Sequence, residues 1–244
     1  MSTLDATATS PHTTQLRDLR SFWRVTLAII APLPMLALAV GTALNPASPG
    51  AEFLTTVSDT AAEQARAGAV QWFGAAFVIG IVPAIIAVAL VTRRRTPRLT
   101  TLGLLLAGTG FLAGISSLPD EGVLALLTVQ ERQDPAVIDA IVGAYWETTL
   151  VGIGTGLFLL GLMLGLSLLG IALWRSKAAP TWMGLALAVG AFTHPFIPTN
   201  TAVAAGLLVA SIGFAGASRA LLTTSNDDFD LPPLPQRSGQ KRTR

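Results

Sequence analysis

The chain has 244 residues, of which 51% are hydrophobic and 12% charged, and its mean hydropathy is +0.60. Soluble domains carry about 25% charged residues, so this composition fits an integral membrane protein and leaves no room for a separate soluble domain. The net charge of +2 gives nucleic-acid binding no support, and the lack of cysteine excludes disulfides, thiolate metal sites, iron–sulfur clusters and cysteine nucleophiles.

Residues 1–21 are polar, rich in Ser and Thr, and without apolar periodicity, which predicts a flexible tail. Arg17, Arg20 and Arg24 lead into the first apolar run, 25–44. It is too long for a signal-peptide core and no A-x-A site follows, so it reads as an uncleaved span. Pro32 and Pro34 lie inside it. Each proline removes a backbone donor, and in a membrane a neighbouring helix can satisfy the freed carbonyl. Residues 45–50 (NPASPG) form a turn. Residues 52–69 predict a mildly amphipathic helix at the membrane surface or an extension of the next span.

The second span is 72–91, with Gln71 and Trp72 at the interface and Pro83 as a kink. A basic turn follows: Arg93, Arg94, Arg95 and Arg98. The third span, 99–118, carries Gly110 and Gly114 as a small-xxx-small pair. The connection 119–147 holds two helix starts. One has Asp120 and Glu121 in its first turn; the other has Asp134 as N-cap before Pro135.

The fourth span, 148–174, is the longest charge-free run in the chain. Its Gly152/Gly156 and Gly161/Gly165 pairs both read as GxxxG, the pattern of close helix approach. Arg175 and Lys177 end it. Pro180 precedes a short fifth span, 182–196, that closes on His194-Pro195, and a tight turn leads to the sixth span, 201–222. The tail 223–244, with LPPLPQ and a basic end, predicts disorder. The fold class expected is therefore all-α and polytopic, with six transmembrane helices in 22–222 and short amphipathic outer helices.

Charge sets the orientation. Grouping the N-tail with Arg24, the 93–98 turn, the 175–180 turn and the C-tail, with Arg219 at the end of the last span, places fourteen of the sixteen basic residues on one side with five acids. The other side holds Arg66 and Arg132 with nine acids. The positive-inside rule makes the first side cytoplasmic, with both termini inside a bacterial plasma membrane. Residues 51–118 and 120–196 also suggest a weak parallel duplication, with ALVTRRRTP against ALWRSKAAP.

The spans contain almost no ionisable residue, which argues against a proton relay, a voltage sensor or an ion-coupled pump. The nearest polar groups lie at the outer ends: Glu147 beside Tyr145 and Trp146, His194, Gln71 and Trp72. They make a candidate outer polar site, with Glu147 and His194 as a proton-handling pair. Interface preference and helix-dipole chemistry account for the same residues without any site. Ser167, in Gly165-Leu166-Ser167-Leu168, matches the outline of a rhomboid serine protease, but it lies near the inner end of its span and His194 at the outer end of another. That separation is roughly 20 Å, so the pair is rejected. An intramembrane enzyme would need a polar cluster of Ser116, Ser117, Thr193 and His194.

No cofactor is expected. Haem lacks paired histidines, HExxH is absent, and Gly152-x-Gly154-x-Gly156 lies inside a span. Metal ligation has no candidate either. The basic turn could meet anionic lipid headgroups.

Leu173 to Ser176 and Pro180 to Leu185, an LWRS turn before a proline and a Trp-Met-Gly-Leu start, resemble the uncharacterised six-span integral membrane proteins of actinobacteria over about 22–222. That resemblance implies a histidine at the start of the second span, where this chain reads Val70-Gln71-Trp72, and it implies no activity. The expected function is a non-catalytic accessory or interaction protein whose partners are the bilayer, another membrane protein or itself. The alternative is a permease or small-molecule binder with an outward-facing pocket.

Overall fold

A computed structural model describes residues 18–117, 120–193 and 197–230, which form eleven α-helices and no strand. Most of the predicted flexible N-tail and disordered C-tail lies outside these residues.

The predicted first span is two helices, α1 (Arg20–Ile30) and α2 (Leu33–Leu44), separated at Ala31-Pro32. Pro32 has no N–H, so the Ala28 carbonyl one turn earlier loses its intrahelical donor. Ser218 of α10 (Asn200–Thr223) supplies the replacement, donating to Ala28 O at 2.6 Å. Ser211 of the same helix donates to Pro32 O at 2.9 Å. Asn200 then reaches the carbonyls of Asn45 and Ala47 at 3.0 and 2.8 Å. These three points run in opposite order along the two segments, so α1–α2 and α10 are antiparallel over their full length.

α3 (Phe53–Ala62) and α4 (Gln64–Thr92) resolve the predicted 52–69 helix into a separate short helix and an extension of the second span. α4 continues unbroken through Pro83. α5 (Pro97–Ser117) follows the arginine turn, which the Thr92 and Thr100 hydroxyls staple at 2.8 Å. Asp120 and Asp134 cap α6 (Glu121–Gln130) and α7 (Pro135–Trp146) as their sequence positions predict, accepting from Val123 N and Ala136 N at 3.0 Å. α3, α6 and α7 bury Phe53, Val57, Ala125 and Val142 against one another in a small core of their own.

α8 (Thr149–Ser176) is the predicted fourth span, and it packs antiparallel on α5. Gly110 and Gly161 meet backbone to backbone: a Cβ on Gly110 would lie 2.6 Å from Leu162 N and 2.9 Å from Gly161 C. Gly114 faces the Phe158 ring, and Gly165 faces the Ala107 backbone. Gly152 and Gly156 correct the expectation. A Cβ on either meets nothing within 4 Å, so that GxxxG pair makes no helix contact. The two pairs lie at different heights and on different faces of α8, and only Gly161/Gly165 has a neighbour opposite. A second seam, not predicted, joins α8, α9 (Thr181–Gly190) and α10. It runs through Gly170 and Gly184, Gly190 and Ala210, and Gly213 and Leu187.

Five segments, namely α1–α2, α4, α5, α8 and α10, are long and apolar enough to cross a membrane. The predicted fifth span differs. Its helix α9 has ten residues, about 15 Å by helix rise against a hydrocarbon core of about 30 Å. Its register still carries the chain from one end of the bundle to the other. Gly184 packs beside Trp174 near the C-terminus of α8, and Thr193 packs on Gly206 near the N-terminus of α10.

One end of the bundle gathers the basic segments. Arg20 pairs with Asp227 at 2.8 Å, Ser21 bonds Asn226, Arg93 donates to Phe229 O at 2.9 Å and Arg95 to Ser176 O at 2.8 Å. α11 (Asn226–Phe229) lies there. Hydrogen bonds from the Arg20 side chain and then its backbone N–H hold the Asp18 carboxyl below the usual carboxylate range.

Two mutational outcomes follow from this packing. Ser218→Ala should cost about 1 kcal/mol. In a Pro32→Ala background the same change should cost close to nothing, because the backbone N–H restored by that substitution then serves Ala28 O; a double-mutant cycle of unfolding in detergent reads the coupling. Gly110→Ala should lose about 1–3 kcal/mol by overpacking, whereas Gly156→Ala should stay within about 0.5 kcal/mol, by the same unfolding measurement.

Candidate functional site

The candidate outer polar site does not assemble as one cluster among the described residues. Gln71 and Trp146 converge on the first turn of α6. The Gln71 amide lies against Gly122, and Trp146 Nε1 donates to Glu121 Oε1 at 2.5 Å. Trp72, 80% exposed, projects away from the bundle. Glu147 is the exposed C-cap of α7. His194 lies outside the described residues, so the Glu147–His194 pair has no described geometry. Of the further cluster, Ser116 bonds Ala113 O and Thr193 bonds Gly190 O, each within its own local segment. The Ser117 side chain and His194 fall outside the described set.

Of the six basic residues assigned to topology, Arg93 and Arg95 bond neighbouring segments at the basic end. Arg94, Arg98 and Arg175 are exposed there, and Lys177 closes α8 in the left-handed region at φ 54°. Among the described residues no group of three or more metal-ligating side chains converges.

The concave feature of the interior is apolar. A cavity of about 190 Å³ opens where α9 stops, between α2, α4, α8 and α10. Met35, Phe77, Phe158, Met163 and Leu207 line it, with Gly190 and Ala191 at the helix end; none of its twelve lining residues is charged. The volume exceeds the roughly 150 Å³ of an apolar cavity known to stay dry and admit benzene. It falls below the roughly 300 Å³ at which drug-sized ligand pockets begin. A small apolar molecule or a single alkyl end fits it; a hydrated or charged substrate does not.

The termination of α9 creates this space, and sequence reasoning gave no warning of how the termination is satisfied. A helix leaves its last four carbonyls without intrahelical donors. Here Ala191 N serves Leu187 O, Phe192 N serves Val189 O, and Thr193 serves Gly190 O through both its N–H and its hydroxyl. The remaining carbonyl, Ala188 O, accepts from Ser167 Oγ at 2.9 Å. The residue that carried the protease outline is thus a cap for a helix that ends inside the bundle. The signal available in the sequence was a lone serine in an otherwise charge-free span, facing a helix that Pro195 cannot let continue.

Fold and cavity together define an all-α protein built from apolar helices of membrane-crossing length around a small apolar chamber. No protein-family model, no curated protein and no solved structure matches the chain.

The cap has a testable signature. Ser167→Ala leaves Ala188 O without a donor and should lower stability by about 1 kcal/mol. Ser167→Thr keeps the hydroxyl and should restore most of it. Chemical unfolding of both variants beside the parent protein makes the comparison.

Proposed function

We propose that this is a multi-pass protein of a bacterial plasma membrane, with six traverses and both termini cytoplasmic, that serves as a non-catalytic accessory protein and holds an apolar ligand. The six-traverse reading counts α9 with residues 191–199 as one passage. Irregular backbone at membrane depth needs its polar groups satisfied, and the last carbonyls of α9 have donors. The orientation rests on the positive-inside rule and on the basic segments meeting at one end. Exposed tryptophans support a bilayer between the two ends: Trp23, Trp174 and Trp182 belong to the basic end, and Trp72 and Trp146 to the other. Tryptophan concentrates at both membrane interfaces.

The observation that carries the binding role is the uncharged chamber at the end of α9. The chamber is partly open to the bundle surface, so an apolar occupant can enter it and cover its uncharged lining. The permease alternative, with an outward polar pocket, has less support, because Glu147 and Trp72 are separately exposed.

The test is purification from native membrane into nanodiscs, extraction, and identification of bound small molecules and proteins. The parent protein should retain a near-stoichiometric apolar molecule, and a Leu38→Phe/Leu159→Phe variant, which narrows the chamber, should retain at least about tenfold less. Parent protein without any such molecule, or equal retention by the variant, would sink the ligand role. A stoichiometric protein partner found alone would leave only the accessory role.

A further inference from the structure

We propose that the basic end carries a binding site for the phosphate of an anionic glycerophospholipid. A crevice of about 470 Å³ lies between the arginine turn, the α8–α9 turn and the end of α10. Arg94, Arg95 and Lys177 line it. No described carboxylate pairs with any of the three, whereas Arg20 and Arg93 in the same region are paired with Asp18, Asp227 and Asp230. Arg95 spends one guanidinium nitrogen on Ser176 O and keeps the others for a ligand. Asp228 is the one carboxylate in the lining, and its Oδ2 already accepts from Ser225 at 2.8 Å. The lining charge is therefore three positive against one negative. Arginine presents paired donors that match phosphate oxygens, and lysine adds a point charge.

The crevice is not purely polar, and this selects a lipid over a free anion. Val91 and Leu221 form part of its lining, continuous with the apolar cluster that includes Ala28 and Ala87. A free phosphate would leave the partly exposed Leu90, Val91 and Phe229 of this lining wet. A lipid places its phosphate among the three cations and its glycerol and chain starts on the apolar wall. Basic residues at a membrane surface attract anionic lipid by about fivefold each. The site depends on the geometry of the crevice and not on what fills the interior chamber.

The test uses the full-length protein, delipidated in neutral detergent and titrated with dioleoylphosphatidylglycerol, with dioleoylphosphatidylcholine, or with inorganic phosphate alone. Native mass spectrometry reads binding, and the thermal midpoint reads stabilisation. Phosphatidylglycerol should bind at least about tenfold more tightly than phosphatidylcholine. Arg94→Gln/Arg95→Gln/Lys177→Gln should remove that preference, and Arg98→Gln, outside the crevice, should leave it intact. Asp228→Asn should tighten phosphatidylglycerol binding by about threefold, a gain that misfolding cannot imitate. Equal binding of the two lipids, a preference that survives the triple substitution, or full stabilisation by inorganic phosphate alone would each overturn the assignment.

Discussion

The architecture depends on one constraint: a carbonyl freed inside an apolar bundle needs a donor from the protein itself. Two serines meet it: Ser218 serves the carbonyl orphaned by Pro32 and Ser167 the end of α9, while Ser211 adds a second donor to Pro32 O beside Leu36 N. Each hydroxyl belongs to a different helix from the carbonyl it satisfies. The bonds therefore fix helix register as well as satisfying polar atoms, and they allow two irregularities, the α1–α2 break and the early stop of α9, that would otherwise be costly. The interior chamber exists because the second irregularity is tolerated.

Glycine provides the complementary half of the packing. Between apolar helices in lipid there is little hydrophobic drive to associate, so close backbone approach and dispersion must supply it. The α5–α8 contact uses Gly110, Gly114, Gly161 and Gly165; the α8–α9–α10 seam uses Gly170, Gly184, Gly190 and Gly213. α9 is consequently gripped on two sides along its short length. That grip explains how a helix of only ten residues keeps a defined place between two helices of 28 and 24.

The helical class, the long helix boundaries and the two aspartate caps were legible because they are local. Apolar run length, N-cap chemistry and Pro at the first helical position act within a few residues, and α4, α6, α7, α8 and α10 follow them. The length of α9 was not legible. Apolar composition continues past Gly190 through Ala191 and Phe192, and only the local turn bonds of Phe192 and Thr193, with Pro195 beyond, stop the helix. Nor could spacing decide between the glycine pairs of α8, since Gly152/Gly156 and Gly161/Gly165 are identical as patterns and differ only in whether a neighbour lies opposite. The polar site was hardest to read. Gln71 and Trp146 both come to α6, but through Gly122, which did not stand out in the sequence, and Glu121, which was read only as a first-turn acid. The chamber is lined by Met, Leu and Phe that no pattern separates from ordinary core.

The bond from Ser218 to Ala28 links residues 190 positions apart. Chains are synthesised at about 5–20 residues per second, so the donor follows its acceptor by roughly 10–40 seconds. Throughout that interval the break between α1 and α2 lacks the donor that completes it. The α1–α2 segment is thus finished only when α10 docks, and until then the Ala28 carbonyl needs another donor, such as water. The same long closure gives a built-in check on completeness. A chain truncated before α10 would leave the Ala28 carbonyl without its Ser218 donor.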